Sequence, residues 1–360
     1  LNKTPVSRLF GLFQESYKLK YLGLSLLLIL LLILDMFLLR KSIILLEGDG
    51  QLELFSLLKH SPLRLFGLAW FSSAILLSGS PIAALIVGLA DAGKISSLDA
   101  VFGIMGTRLG AVSLVFFIGA ILLLRGKKLK LSMGIGLVSF VVSAVMALLV
   151  IALASIFWPF FNVPVEIVPA AGSLNSPSLP LLISEWIISH TGPFPGFLLS
   201  IAFLILLMDL LEKSFRLRDI KEKDHKVIRP LFENPITSFL LGFILTGLFF
   251  SVSVTIALLV PLYDVGRVRR AWAVPYIIAA NISTFIDTYL LALSGGNEQT
   301  ISLVTFCILA SLLVGMVLMV RIDAFSKKVV DVSDSLLKNN WIFALVVVLM
   351  LALPLILSSF

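Results

Sequence analysis

The sequence predicts an all-α integral membrane protein built from two inverted-topology repeats. Three observations lead there. First, 59% of the 360 residues are hydrophobic and only 14% are charged, against about 25% charged in soluble domains; the mean hydropathy is +1.08. Second, the apolar residues gather into continuous runs long enough to span a bilayer, which takes roughly 20 residues as a helix. Outer-membrane strands would instead alternate apolar and polar over about ten residues. Third, the chain resembles itself at a fixed offset, described below.

Taken in order, residues 1–20 are polar and basic, lack the pattern of a cleavable signal, and form a cytoplasmic segment. Full spans are expected at 21–39, 98–124, 131–158, 193–212, 273–293, 301–320 and 341–357, seven in all. Two further apolar stretches, 62–93 and 235–266, are interrupted at their centres by LLSGSPIA (76–83) and FFSVSVTI (249–256). Small polar residues at that depth suit a re-entrant helical hairpin, since irregular backbone is tolerated there only against protein or a wet cavity. Between the repeats lies an outer loop, 159–192, in which LPLLISEWIISH (179–190) reads as an interfacial helix. A cytoplasmic linker, 321–340, precedes the final span.

The distribution of positive charge supports this topology. Of 28 Lys and Arg residues, only Arg40, Lys41, Lys59, Arg64 and Lys94 fall outside when both hairpins are re-entrant, and Arg108 lies within a span. Treating the hairpins as full spans would put RGKKLK (125–130) and the basic stretch 212–233 on opposite sides. The net charge of +7 therefore reflects topology in the cell (inner) membrane, with the N-terminus cytoplasmic and the C-terminus outside, and not nucleic-acid binding. The lone Cys307 excludes an intrachain disulfide. His60, His190 and His225 are scattered, and neither a metal cluster nor a phosphate-binding loop is present in the sequence. Nothing points to an enzyme or to a bound cofactor.

A shift of 173 residues lays SPLRLFGLAWFSSAILLSGSPIAALIVGLADAGK over NPITSFLLGFILTGLFFSVSVTIALLVPLYDVGR without gaps. Pro62 falls on Pro235, Ser78 on Ser251, Ser80 on Ser253, Asp91 on Asp264 and Gly93 on Gly266, and GTRLGA (106–111) falls on AANIST (279–284). With one hairpin entering from outside and the other from the cytoplasm, the first repeat (21–158) and the second (193–320) are inverted. Secondary transporters are built this way, with substrate held near the midplane by broken helices. Helix N-termini attract anions there, and carbonyl ends attract cations.

Each copy resembles the signature of the type II sodium–phosphate cotransporters. In that family a Gln-Ser-Ser-Ser tip is followed by a Gly about thirteen residues on, and then by Gly-Ala-Asn-Ile-Gly-Thr. Here Ser80, Gly93 and Gly106 keep the spacing, as do Ser253, Gly266 and Ala279. Leu77 and Phe250 stand at the Gln positions, Gly79 and Val252 at the middle serines, and Arg108 where the family has Asn. The resemblance implies two inverted repeats, each with a re-entrant hairpin and a broken span. It also implies sodium-coupled uptake of inorganic phosphate by alternating access, with sodium the coupling ion.

Candidate substrate-binding residues are Ser78, Gly79 and Ser80 at the first tip and Ser251, Ser253 and Thr255 at the second, together with Thr107, Arg108 and Asn281. The tip hydroxyls offer donors to an oxyanion or, alternatively, cap the half-helices. Arg108 is a lone cation within a span, where charge is costly and functional by default. Its guanidinium suits phosphate or carboxylate, or an ion pair with Asp287 or Asp91. Asn281, Ser283, Thr284 and Asp287 are candidates for the coupling ion. Asp91 and Asp264 are read as structural, at the hairpin bases, and Asp35 as interfacial. The oligomeric state is not legible. Alternatives are proton- or sodium-coupled transport of another small anion on the same fold, and a non-transporting membrane sensor or assembly protein.

Overall fold

The computed structural model describes residues 61–124, 129–158, 179–215, 225–264, 266–295, 297–338 and 340–359, with part of 27–46. Residues 1–20, most of the expected first span, the loop before 179 and the basic stretch 216–224 lie outside the described residues. Among those described, regular structure is helical and no strand occurs.

Two helix–turn–helix units show why the sequence repeats. Helix α1 (Pro62–Leu76) begins at Ser61, whose hydroxyl accepts from the Arg64 amide. Helix α8 (Pro235–Phe249) begins at Asn234, whose Oδ1 accepts from the amides of Ile236 and Thr237. Both carry proline at the first helical position, where no amide hydrogen is needed. Both end at a bulky residue in left-handed backbone, Leu77 at φ 54° and Phe250 at φ 51°, the two non-glycine residues with positive φ among those described. Such backbone costs about 1–2 kcal/mol for an L-residue, so the surrounding packing must hold each turn. Helix α2 (Ser80–Asp91) returns from the first turn. From the second, α9 (Val252–Ala257) and α10 (Leu259–Asp264) return as two pieces. They split where Pro261 lacks the amide hydrogen that a continuous helix would give to the Ala257 carbonyl. Gly93 and Gly266 then take the same φ of 71°.

Helix α3 (Ser97–Leu124) follows the first unit. It starts in a reciprocal cap in which the Ser96 hydroxyl accepts from the Asp99 amide while Asp99 Oδ2 accepts from Ser96. The break expected in this span is absent, and α3 runs unbroken through GTRLGA. Its glycines serve close packing instead. A Cβ at Gly106 would lie 2.3 Å from the Phe66 carbonyl oxygen, and one at Gly110 would lie 2.4 Å from that of Trp70. In the second unit the helix is interrupted at one residue, Thr284, which separates α11 (Arg270–Ser283) from α12 (Phe285–Gly295) while keeping helical backbone at φ −65° and ψ −12°. There the glycine sits on the other partner: a Cβ at Gly242 of α8 would meet the Tyr276 carbonyl oxygen of α11 at 2.3 Å.

The remaining helices are α4 (Leu129–Phe157), α5 (Leu179–Thr191), α6 (Pro193–Phe215), α7 (His225–Glu233), α13 (Glu298–Val320), α14 (Ile322–Leu337) and α15 (Asn340–Leu357). Three helical stretches are long and apolar enough to cross a membrane: Met133–Phe157, Arg270–Leu293 and Glu298–Val320. The pair α14 and α15, bent by 106°, makes a fourth if read as one span. Large apolar side chains on α15 and α13 point outward, Trp341 at 84% exposure and Val320 at 80%, as a lipid-facing surface requires. The expected linker at 321–340 is largely helix α14, whose Asp334 pairs with Arg270 of α11 at 2.7 Å. Helices α3, α4, α11 and α13 share one buried core, with Ile104, Val138, Ile278 and Val304 all below 1% exposure.

Candidate functional site

The two turns meet in the interior, and each reaches the other unit. Ser80, at the start of α2, donates its hydroxyl to Asp287 Oδ2 of α12 at 2.5 Å and lies 3.3 Å from the Phe250 carbonyl of the opposite turn. In return, Ser253 of α9 donates to the Ala111 carbonyl of α3 at 3.0 Å. Helix α2 thus packs on α12 and α9 packs on α3. Gly79 permits this approach, because a Cβ there would lie 3.0 Å from the Thr107 carbonyl oxygen.

Most of the predicted tip hydroxyls already have protein partners. Ser251 caps α9 by accepting from the Val254 amide at 3.3 Å. Thr255 donates to the Ser251 carbonyl or shares a proton with Thr246 at 2.8 Å, and its own carbonyl accepts from the Tyr276 hydroxyl. Ser78, at the first turn, is half-buried and also interacts within the protein. Thr107, fully buried, bonds back to the Ile104 carbonyl at 2.7 Å, the habitual use of a threonine inside a helix. The capping reading of these residues is therefore realised at Ser251, while Ser80 and Ser253 tie the two units together.

Arg108 is 3% exposed and reaches from α3 to the broken segment. Nη1 donates to Thr284 Oγ1 at 2.8 Å, Nη2 lies 3.5 Å from Thr288 Oγ1, and the guanidinium sits 4.3 Å from the centroid of the Phe285 ring. Asp287 answers from the same segment, its Oδ1 accepting from the Thr288 amide and hydroxyl. Thr288 therefore stands between the two charges, accepting from the cation and donating to the carboxylate. A buried cation with no compensating charge would be prohibitive; here the helix break at Thr284 places both threonines and the carboxylate where Arg108 can use them.

The four residues expected to gather a coupling ion make their hydrogen bonds to different partners. Asn281 donates to Ser143 of α4 at 3.0 Å and to the Ile277 carbonyl. Ser283 turns to the Phe243 carbonyl of α8 at 2.6 Å. Thr284 faces Arg108, and Asp287 faces Ser80. Among the described residues no cluster of His, Cys, Asp and Glu is suited to a metal ion.

Below Arg108 lies a small cavity of about 10 Å³, lined by Arg108, Asn281, Phe285, Ser143, Ser311 and Met146 among others. Ser143, Ser311, Phe285 and Thr288 were not among the sequence candidates. A small hydroxyl inside an apolar run was the available signal, but other buried serines in this chain, such as Ser73 and Ser139, share it.

Buried charge beside an interrupted helix, between two interlocked turns in an all-helical apolar protein, suits a membrane transporter. Residues 203–350 are similar to the Na+/Pi-cotransporter family. This stretch contains the second turn, α11, α12 and Asp287, and the first turn and Arg108 precede it. No curated protein and no solved structure matches the chain.

Proposed function

We propose that the protein is a secondary active transporter that takes up inorganic phosphate with sodium as the coupling ion, by alternating access. In this reading the two units are inverted repeats and their turns are the tips of re-entrant hairpins. The N-terminus is cytoplasmic and the C-terminus lies outside the cell (inner) membrane. The observation that carries the reading is the reciprocal crossing of the turns, Ser80 onto Asp287 and Ser253 onto the Ala111 carbonyl. A contact of this kind closes one access route, and exchanging it for a similar contact on the other face opens the route from the opposite side.

Arg108 supplies the positive charge for the anion, and Asp287 is the carboxylate that takes the coupling cation once Ser80 withdraws. The match of residues 203–350 to a sodium–phosphate family favours phosphate and sodium. A second reading replaces sodium by a proton. It draws on the divergence of Asn281, Ser283, Thr284 and Asp287 toward four different neighbouring helices, since sodium needs several converging oxygens and a proton needs only the carboxylate.

Uptake of radiolabelled phosphate into proteoliposomes tests both readings, with an inward sodium gradient, a potassium replacement and an imposed proton gradient. Sodium-driven uptake that falls at least tenfold in Asp287→Asn supports the first. Proton-driven uptake with the same loss supports the second. Folded protein that moves no phosphate under any gradient removes phosphate transport.

A further inference from the structure

We propose that the anion binds in the cavity between α3, α4, α11 and α13, held by Arg108 Nε, Ser143 and Ser311, and not at the turns. The inference rests on the transport reading above and names the place where its substrate sits. Three observations lead to it.

The first is an unpartnered donor. Arg108 is almost wholly buried, and its two Nη atoms are turned to Thr284 and Thr288, but its Nε hydrogen has no acceptor among the described residues. A buried guanidinium edge without an acceptor costs about 1–3 kcal/mol or more, so its retention at this position calls for a ligand. The second is the lining. Ser143 Oγ accepts from Asn281 Nδ2, which orients the hydroxyl and leaves its own proton for another acceptor. Ser311 of α13 adds a second hydroxyl, 2% exposed, to the same cavity. Donors on three helices, and no carboxylate, line the space: Asp287 lies off its wall and reaches Arg108 through Thr288. With a guanidinium present and no carboxylate, that set suits an anion better than a cation.

The third is the condition of the turns. Ser80, Ser251, Ser253 and Thr255 are engaged with protein acceptors or donors, and none of them lines the cavity. The cavity, about 10 Å³, has room for roughly one water-sized centre, and so for a single oxygen of a tetrahedral oxyanion. The rest of the ligand requires the Met105 and Met146 side chains to swing aside, which unbranched thioethers do readily.

The test is thermal unfolding of the purified protein in detergent, titrated with sodium phosphate, sulfate or chloride at constant sodium. A ligand that binds the folded state raises the melting temperature by mass action. Phosphate is expected to stabilise the wild type. Ser143→Ala and Ser311→Ala are each expected to raise the half-saturating concentration at least fivefold, with ligand-free melting almost unchanged in Ser311→Ala and lowered in Ser143→Ala by the lost Asn281 bond. Arg108→Lys, which keeps the charge and removes Nε, is expected to raise it at least tenfold. Equal half-saturation in the wild type, Ser143→Ala and Ser311→Ala overturns the cavity site while leaving transport standing. A selective weakening in Ser251→Ala moves the site to the turns and has the same consequence. Stabilisation by sulfate or chloride and not phosphate, weakened by the same serine variants, keeps the site and changes its anion. A wild type that responds to no anion, alongside absent uptake, overturns both.

Discussion

Residues 62–111 and residues 235–284 run through the same turn, the same cap and the same approach of helix to helix, yet they bring different side chains to the centre. At the shift of 173 residues, Leu77 and Phe250 share left-handed backbone, and Gly93 and Gly266 share a φ of 71°. Arg108 in the first, however, lies on Asn281 in the second, and the unbroken α3 lies on a helix that stops at Thr284. Around that interruption, Thr284 and Thr288 meet Arg108, and Asp287 meets Ser80. One segment contributes a cation from a continuous helix, and the helix that follows the other contributes the balancing carboxylate, Asp287. Backbone geometry is shared where it shapes the meeting point, and side chains differ where they meet each other.

Substitutions can break this comparison, beginning with its sharpest difference. Arg108→Met removes the cation and leaves Asp287 buried, a change expected to cost about 3–5 kcal/mol. The double variant Arg108→Met with Asp287→Leu is expected to recover most of that loss in thermal unfolding. Strictly additive losses would mean the two charges do not compensate each other.

Next comes a similarity. Gly106→Val and Gly242→Val each force a side chain into a backbone carbonyl 2.3 Å from the Cβ position, and each is expected to destabilise by about 3 kcal/mol. Size-exclusion profiles and melting temperatures check this, and a tolerant Gly242 would show that the second pair of helices is the looser one.

The reciprocal contacts should differ in strength. Ser80→Ala breaks a bond to a carboxylate, worth about 1.5–3 kcal/mol, whereas Ser253→Ala breaks one to a carbonyl, worth about 1 kcal/mol. A larger loss at Ser253, read by the same melts, would reverse the assignment of the stronger tie.

The smallest effects are expected at the bases of the two turns. Gly93→Ala and Gly266→Ala put a Cβ into open space at positive φ, so each should lose about 1 kcal/mol from backbone strain alone. Equal losses support a shared backbone, and unequal ones would show that the two bases are held differently.

Much of this was legible along the chain because it depends on near neighbours. Pro62 and Pro235 mark helix starts, the glycines mark the left-handed positions at the bases, and SGS and SVS mark the turns. The depth of Arg108 followed from the apolar run around it. The continuity of α3 was not legible: GTRLGA carries two glycines, and whether glycine breaks a helix or lets another helix approach depends on what lies across from it. In this structure Phe66 and Trp70 of α1 lie across, so the glycines pack. Ser143 and Ser311 were equally hidden, since a serine in an apolar helix gains a role only from the face it shares with a charged neighbour.

The sequence by itself determined that the chain is helical and membrane-embedded, that one segment repeats another, where each turn lies, and which cation is buried. Hydropathy, capping and φ preferences act over one to four residues and survive in any arrangement of the helices. Only the tertiary structure decided that Arg108 meets Thr284 and Thr288 about 180 positions away, that Ser80 rather than the cation holds Asp287 directly, and that Arg108 and Ser143 of α4 line one cavity. Those choices depend on the register and rotation with which one helix packs on another, set by contacts summed over whole helix faces and written at no single position.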